Sequence, residues 1–193
     1  MLLKKFFPLM VITLISFLLI AKGSSPDVPG KVEDFTLKDY NGKEHSLSNY
    51  KDSKAIVIIF IATECPISNA YNSRMKKIFR EYDKKGIAFL GINSNKEESV
   101  DRIKEHAEEN DLTFTILKDE KNIVADKFEA SFTPEAYVLN SNFEILYHGR
   151  IDNSRKESEV VSKDLENALD EILTGKEVSK KETKAFGCTI KRI

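Results

Sequence analysis

Ile56–Phe79 reads IVIIFIATECPISNAYNSRMKKIF, and this stretch decides the fold. Its first six residues are apolar and mostly β-branched, the pattern of a central strand buried on both faces. From Pro66 to Tyr82 the period changes. Ile67, Ala70, Tyr71, Met75, Ile78, Phe79 and Tyr82 recur at helical spacing. Cys65 stands where the strand gives way to the helix, immediately before a proline suited to a first helical turn. Reactive groups collect at the carboxyl ends of strands in open α/β sheets. A sulfur that also starts a helix feels the positive end of the helix dipole, which favours the thiolate. Glu64 opposes this, because a neighbouring carboxylate disfavours a second negative charge. The plainer alternative is a small buried apolar residue, a common role for free cysteine.

Outward from this junction the same alternation continues. Ile87–Ile92 and Leu112–Leu117 read as strands. Lys96–Glu109, Asn122–Phe128 and Glu157–Leu173 read as helices. Asn41-Gly42, between Phe35–Leu37 and His45–Leu47, signals an N-terminal hairpin. Glu135–Leu139 and Phe143–Tyr147 form a second hairpin. The order predicts an α/β domain with a mixed central sheet and helices on both faces. Pro134 directly precedes a strand, a position open to proline and often to a tight turn.

The chain has 193 residues, enough for one ordinary domain. Residues 1–23 show a basic start, an apolar run from Phe6 to Ala21 and a small polar end, the layout of a secretory signal peptide or an uncleaved signal anchor. A secreted or periplasmic location follows, with membrane attachment only if that segment is retained. Residues 24–175 form the domain, and 176–193 a polar tail carrying Cys188. Lys176–Lys184 reads as a solvated linker. With 30 basic and 31 acidic side chains, and no basic patch among aromatics, the balance argues against a nucleic-acid partner. His45, His106 and His148 are scattered singly, so no metal site is expected, and no cofactor. Glu97, Glu98, Glu105, Glu108 and Glu109 read as a solvated helix face.

Gly30–Leu173 resembles the thioredoxin-fold redoxins of the AhpC/TSA type, a group that includes peroxiredoxins and thiol-disulfide oxidoreductases. The resemblance lies in DFTLKDYNGKEHSL, IVIIFIATECP, GIAFLGINSN and FTPEAYVLN. The ending, YHGRIDNS and then ILTGKEVSKKETKAFGCTIKRI, is similar to a peroxiredoxin-like bacterial subgroup with a late Gly-Cys-Thr/Ser-Ile-Lys. The resemblance implies a thioredoxin-like fold and thiol chemistry at Cys65. Thr63, Glu64, Pro66, Thr133 and Pro134 would support or bind substrate.

The chain departs from its relatives near the sulfur. Ser68 stands where Cys-x-x-Cys enzymes have a second cysteine. Ala62 stands where many of the subgroup have one. Ile58 and Ala62 replace the proline and threonine of the peroxiredoxin signature, and Arg150 is a weak candidate for its distant arginine. Asn69 breaks the cysteine pair of copper chaperones on this fold.

Cys188 therefore carries three readings: a resolving thiol on a flexible tail, a structural bridge that pins the tail, or an unpaired thiol. In the first, Cys65 reduces a disulfide or peroxide, Cys188 closes a disulfide with it, and an external thiol reductant reopens the bond. The competing function is a non-enzymatic binding module that holds a metal or a partner protein.

Overall fold

The computed structural model describes residues 30–193, so the leader expected at 1–23 lies outside the described residues. Among the described residues no helix is long and apolar enough to cross a membrane. Among the described residues nine strands and five α-helices follow one another as β1 (Thr36–Asp39), β2 (Glu44–Ser46), β3 (Ala55–Phe60), α1 (Pro66–Asn69), α2 (Asn72–Tyr82), β4 (Ile87–Asn93), α3 (Val100–Glu109), β5 (Thr115–Lys118), α4 (Ile123–Lys127), β6 (Phe132–Thr133), β7 (Glu135–Leu139), β8 (Ile145–Gly149), α5 (Asp164–Leu173) and β9 (Cys188–Thr189). Seven strands make one sheet in the order β2-β1-β5-β4-β3-β7-β8. β3, β4 and β5 run parallel, while β1 and β7 join the parallel core antiparallel. This is the mixed sheet the sequence predicts, with the N-terminal hairpin at one edge and the β7–β8 hairpin at the other.

The core explains the continuous apolar run of β3. Ala55, Val57, Ile59 and Ile61 face a cluster with Met75, Ile78 and Tyr82 of α2, Ile103 of α3 and Leu165 and Leu169 of α5. Ile56, Ile58 and Phe60 face the other cluster, with Phe35, Leu47, Val124, Phe128 and Tyr137. A period of two thus feeds two cores from one strand. Phe128 stacks edge-on against Phe35, Phe60 and Tyr137, which closes the second core.

Three helix boundaries differ from the sequence reading. The helix expected from Pro66 to Tyr82 breaks at Ala70–Tyr71, where the Arg74 guanidinium donates to the Ala70 carbonyl. A side chain there takes the role of a helix-capping donor. α3 starts at Val100 and not at Lys96, because Ser99 caps it by accepting from the Arg102 N–H. α5 starts at Asp164. The segment before it is pulled into a loop by Asn153, whose side-chain oxygen accepts from the N–H groups of Val161 and Ser162.

The tail is the main departure. Lys176–Lys184 runs beside β8 and is not a free linker: the His148 N–H donates to Lys181 O, and the Thr183 N–H donates to His148 O. Val178, Thr183 and Ala185 are buried. A sheet edge that would otherwise expose unpaired backbone groups is thereby covered.

Candidate active site

Register brings the site together. Phe60 pairs with Glu135, so the chain just after β3 lies beside the chain just before β7. Phe60 also pairs with Ile92, which sets the loop after β4 on the other side. Cys65 and Thr133-Pro134 therefore meet at the carboxyl end of β3.

Cys65 is the N-cap of α1, and its sulfur accepts a hydrogen bond from the Ser68 N–H at 3.3 Å. Pro66 occupies the first turn, as expected. The Cys65 sulfur lies 3.5 Å from Thr133 O, and the Thr133–Pro134 peptide bond is cis. Cys65 is bonded to Cys188, 123 residues away, with the two Cα atoms 6.0 Å apart. Cys65 is buried while Cys188 is half-buried.

The loop before Cys65 rests on a carboxylate. Glu98 is 4% exposed and accepts from the N–H groups of Thr63 at 2.7 Å and Glu64 at 3.3 Å. It also accepts from the side-chain amides of Asn93 and Asn95. Four donors satisfy one buried charge, which is the condition for leaving a carboxylate out of water. The expectation that Glu98 belongs to a solvated face is thus corrected. Because α3 begins later than expected, Glu98 lies in the loop before it and points inward. Glu64 itself is exposed. The Thr63 carbonyl accepts from the Asn69 side chain at 2.8 Å, which ties the two ends of the turn around Cys65. Thr63 Oγ1 and Asn69 Oδ1 are buried without a partner.

On the opposite side Glu135 holds the segment before the cis bond. It accepts from the N–H groups of Ser131 at 2.7 Å and Phe132 at 2.8 Å, and from Tyr137 and His148. Burial pushes its pKa up, but these hydrogen bonds outweigh burial and hold it below the usual carboxylate range. Sequence reasoning missed Glu98 and Glu135. The only available signal was their place within a few residues of strand ends. Arg150 is half-buried and paired with Asp164 at 2.7 Å. Tyr71 is buried, with its hydroxyl donating to Ser154 O, so it packs in the core.

Cys188 reaches the site on β9. Phe132 pairs with Thr189 and Thr133 with Cys188, antiparallel. Gly187 passes so close that a Cβ there would lie 2.1 Å from Thr133 O, so only glycine fits. Among the described residues, no group of three or more His, Cys, Asp or Glu side chains stands ready to hold a metal ion.

The arrangement pairs a buried sulfur at a helix start with a second sulfur brought by a strand. This is a chemistry of making and breaking one S–S bond. The chain is 32% identical to a chloroplastic peroxiredoxin Q of Sedum lineare over 65% of its own length and 67% of that protein. It is 29% identical to the thiol-disulfide oxidoreductase ResA of Geobacillus kaustophilus, over 58% of this chain and 63% of that one. The matches thus span about two thirds of those relatives. Among solved structures, a hypothetical protein of Sinorhizobium meliloti superposes with a TM-score of 0.81 at 30% identity, covering 88% of this chain and 97% of that one. The pattern of the AhpC/TSA family matches residues 28–154, more than half of the chain, and the protein belongs to that family.

Proposed function

We propose that this protein is an extracytoplasmic thiol oxidoreductase in which Cys65 attacks a disulfide or a peroxide and Cys188 resolves the product. The observation that carries the reading is the bond between a strand-end sulfur and a strand-borne one. With a disulfide, the Cys65 thiolate forms a mixed disulfide and expels one thiolate. The Cys188 thiolate then attacks the Cys65 sulfur and expels the other. With a hydroperoxide, the S–O bond of a sulfenic acid forms as the O–O bond breaks, and the alkoxide leaves and takes up a proton. Attack by Cys188 then closes the S–S bond and releases water. An external dithiol returns both sulfurs to thiols and is itself oxidised to a disulfide.

The Ser68 N–H supports this assignment, since a donor to sulfur stabilises the thiolate both as nucleophile and as leaving group. Thr63, Glu64 and Pro66 shape the turn that holds Cys65, and Thr133-Pro134 forms the wall beside it. The extracytoplasmic location is supported by the apolar leader and by a disulfide that persists in oxidising compartments. A membrane anchor would require that leader to be retained.

The test compares wild type and Cys65→Ser, both reduced, with hydrogen peroxide and with a low-molecular-weight disulfide. The reading expects rapid thiol loss in wild type with at least one oxidant. A Cys65→Ser protein that matches wild type with both would refute it.

A further inference from the structure

The strand edge beside Cys65 is already filled by the chain's own last residues. β6 offers backbone donors and acceptors at the mouth of the site, and an extended polypeptide can add to such an edge as a further strand. β9 takes that place. The Ile190 N–H donates to Ser131 O at 2.9 Å, continuing the pairing. Ile190 is buried in the second core, beside Phe128 and Ala130. Beyond it the Lys191 N–H donates to Asn95 Oδ1 at 2.8 Å, and the Lys96 N–H donates to Lys191 O at 3.0 Å. Arg192 pairs with Asp126, and the Ile193 N–H donates to Asn122 Oδ1.

None of these contacts depends on the S–S bond. One is at Asn95, which also donates to Glu98, so the tail is tied to the carboxylate that holds the Cys65 loop. Breaking the disulfide removes one link and leaves the strand pairing, the buried isoleucine and the terminal ion pair. Gly187 adds a steric condition, because it lies against Thr133 O with no room for another chain.

We propose that residues 186–193 are a resident strand that stays on β6 after reduction, and that it makes Cys65 selective for a small hydroperoxide by excluding polypeptide disulfides. This rests on the thiol redox reading above. Rotation of the half-buried Cys188 side chain about its Cα–Cβ bond uncovers the Cys65 sulfur to a molecule of a few atoms. Seating an extended peptide requires the whole strand to leave. The reaction is the peroxide branch: an S–O bond forms, the O–O bond breaks, the alkoxide is protonated, and Cys188 then displaces water.

The experiment uses the full chain and two variants that keep both cysteines, Ile190→Asp and Arg192→Glu. The second changes a half-buried side chain outside the core clusters, so it remains informative if the first folds poorly. Hydrogen exchange is followed at residues 188–191 before and after reduction. Thiol oxidation is followed with hydrogen peroxide and with an unstructured peptide containing a disulfide. Wild type should keep its amide protection on reduction and react with the peptide at least about tenfold more slowly than the variants, the ratio set by about 1.4 kcal/mol of docking. The peroxide rates should agree within about twofold across the three proteins, because docking at Ile190 and Arg192 does not touch the sulfur's hydrogen bond. Loss of protection on reduction alone, or equal peptide rates in wild type and variants, overturns the resident strand and leaves the redox reading intact. No reaction of Cys65 with either oxidant in any of the proteins overturns both.

Discussion

The two sulfurs of the Cys65–Cys188 bond are held in opposite ways. Cys65 follows a fully buried strand, in a loop held by a fully satisfied carboxylate, at the start of a helix. Cys188 sits on a two-residue strand near the end of the chain, held by backbone pairing and a few side chains after it. The first half-site is part of the core and the second is laid across it. This difference fits the division of chemistry proposed for them. A nucleophile needs a fixed environment to tune its thiolate, whereas a resolving thiol on a docked strand needs only to turn its side chain. It also orders the consequences of substitution.

Cys65→Ser should produce the largest effect. A serine hydroxyl without an adjacent base is a poor nucleophile, so oxidant consumption should fall by more than about a thousandfold. Stopped-flow measurement of peroxide or disulfide loss checks this.

Glu98→Gln should come next, as a stability effect on the core half. The amide NH₂ would face two of the four donors that Glu98 now accepts, one of them a backbone N–H that is left unpaired. A loss of about 2–3 kcal/mol is expected, read from denaturant midpoints.

Gly187→Ala tests the tail half. Its Cβ would lie 2.1 Å from Thr133 O, so β9 must shift. Overpacking of this kind costs about 1–3 kcal/mol, here confined to tail docking. Hydrogen exchange at Ile190, whose N–H donates to Ser131 O, should rise while the β3 amides remain protected. Equal changes in both would break the distinction between the halves.

The smallest effect is pH dependence at Glu135, where the halves meet. Its pKa is lowered in the fold, so the unfolded chain binds the proton more readily at acid pH. The stability it contributes is complete above the unfolded carboxylate's range and is lost as pH falls through the lowered folded value. Glu135→Gln should flatten the acid side of the stability curve by at most about 1.4 kcal/mol per pH unit, the limit for one proton. An unchanged slope would place the acid sensitivity elsewhere.

The core half was the legible half. Ala55–Ile61 announces a strand buried on both faces, and Cys65-Pro66 announces a helix start, because both patterns are local. The mixed sheet and both hairpins follow from the same signals. Glu98 was misread because its neighbours Glu97 and Glu105 share helical spacing, and only the Ser99 cap excludes Glu98 from the helix. The tail was misread for a different reason. KEVSKKETK has the composition of a solvated linker, and nothing in it reports that its backbone will pair with His148. Long-range pairing by backbone groups leaves little trace in residue type. Gly187 is the one local mark of that pairing: a glycine beside a cysteine permits a close approach, and its partner is Thr133 O.

The most direct test of the two-sulfur site is a non-reducing peptide map after one equivalent of oxidant is added to the fully reduced protein. The reading predicts a single intrachain cross-link joining the Cys65 and Cys188 peptides, and in Cys188→Ser a Cys65 sulfenic acid or mixed disulfide that persists. Independent oxidation of the two cysteines in wild type, with no peptide joining them, would contradict it.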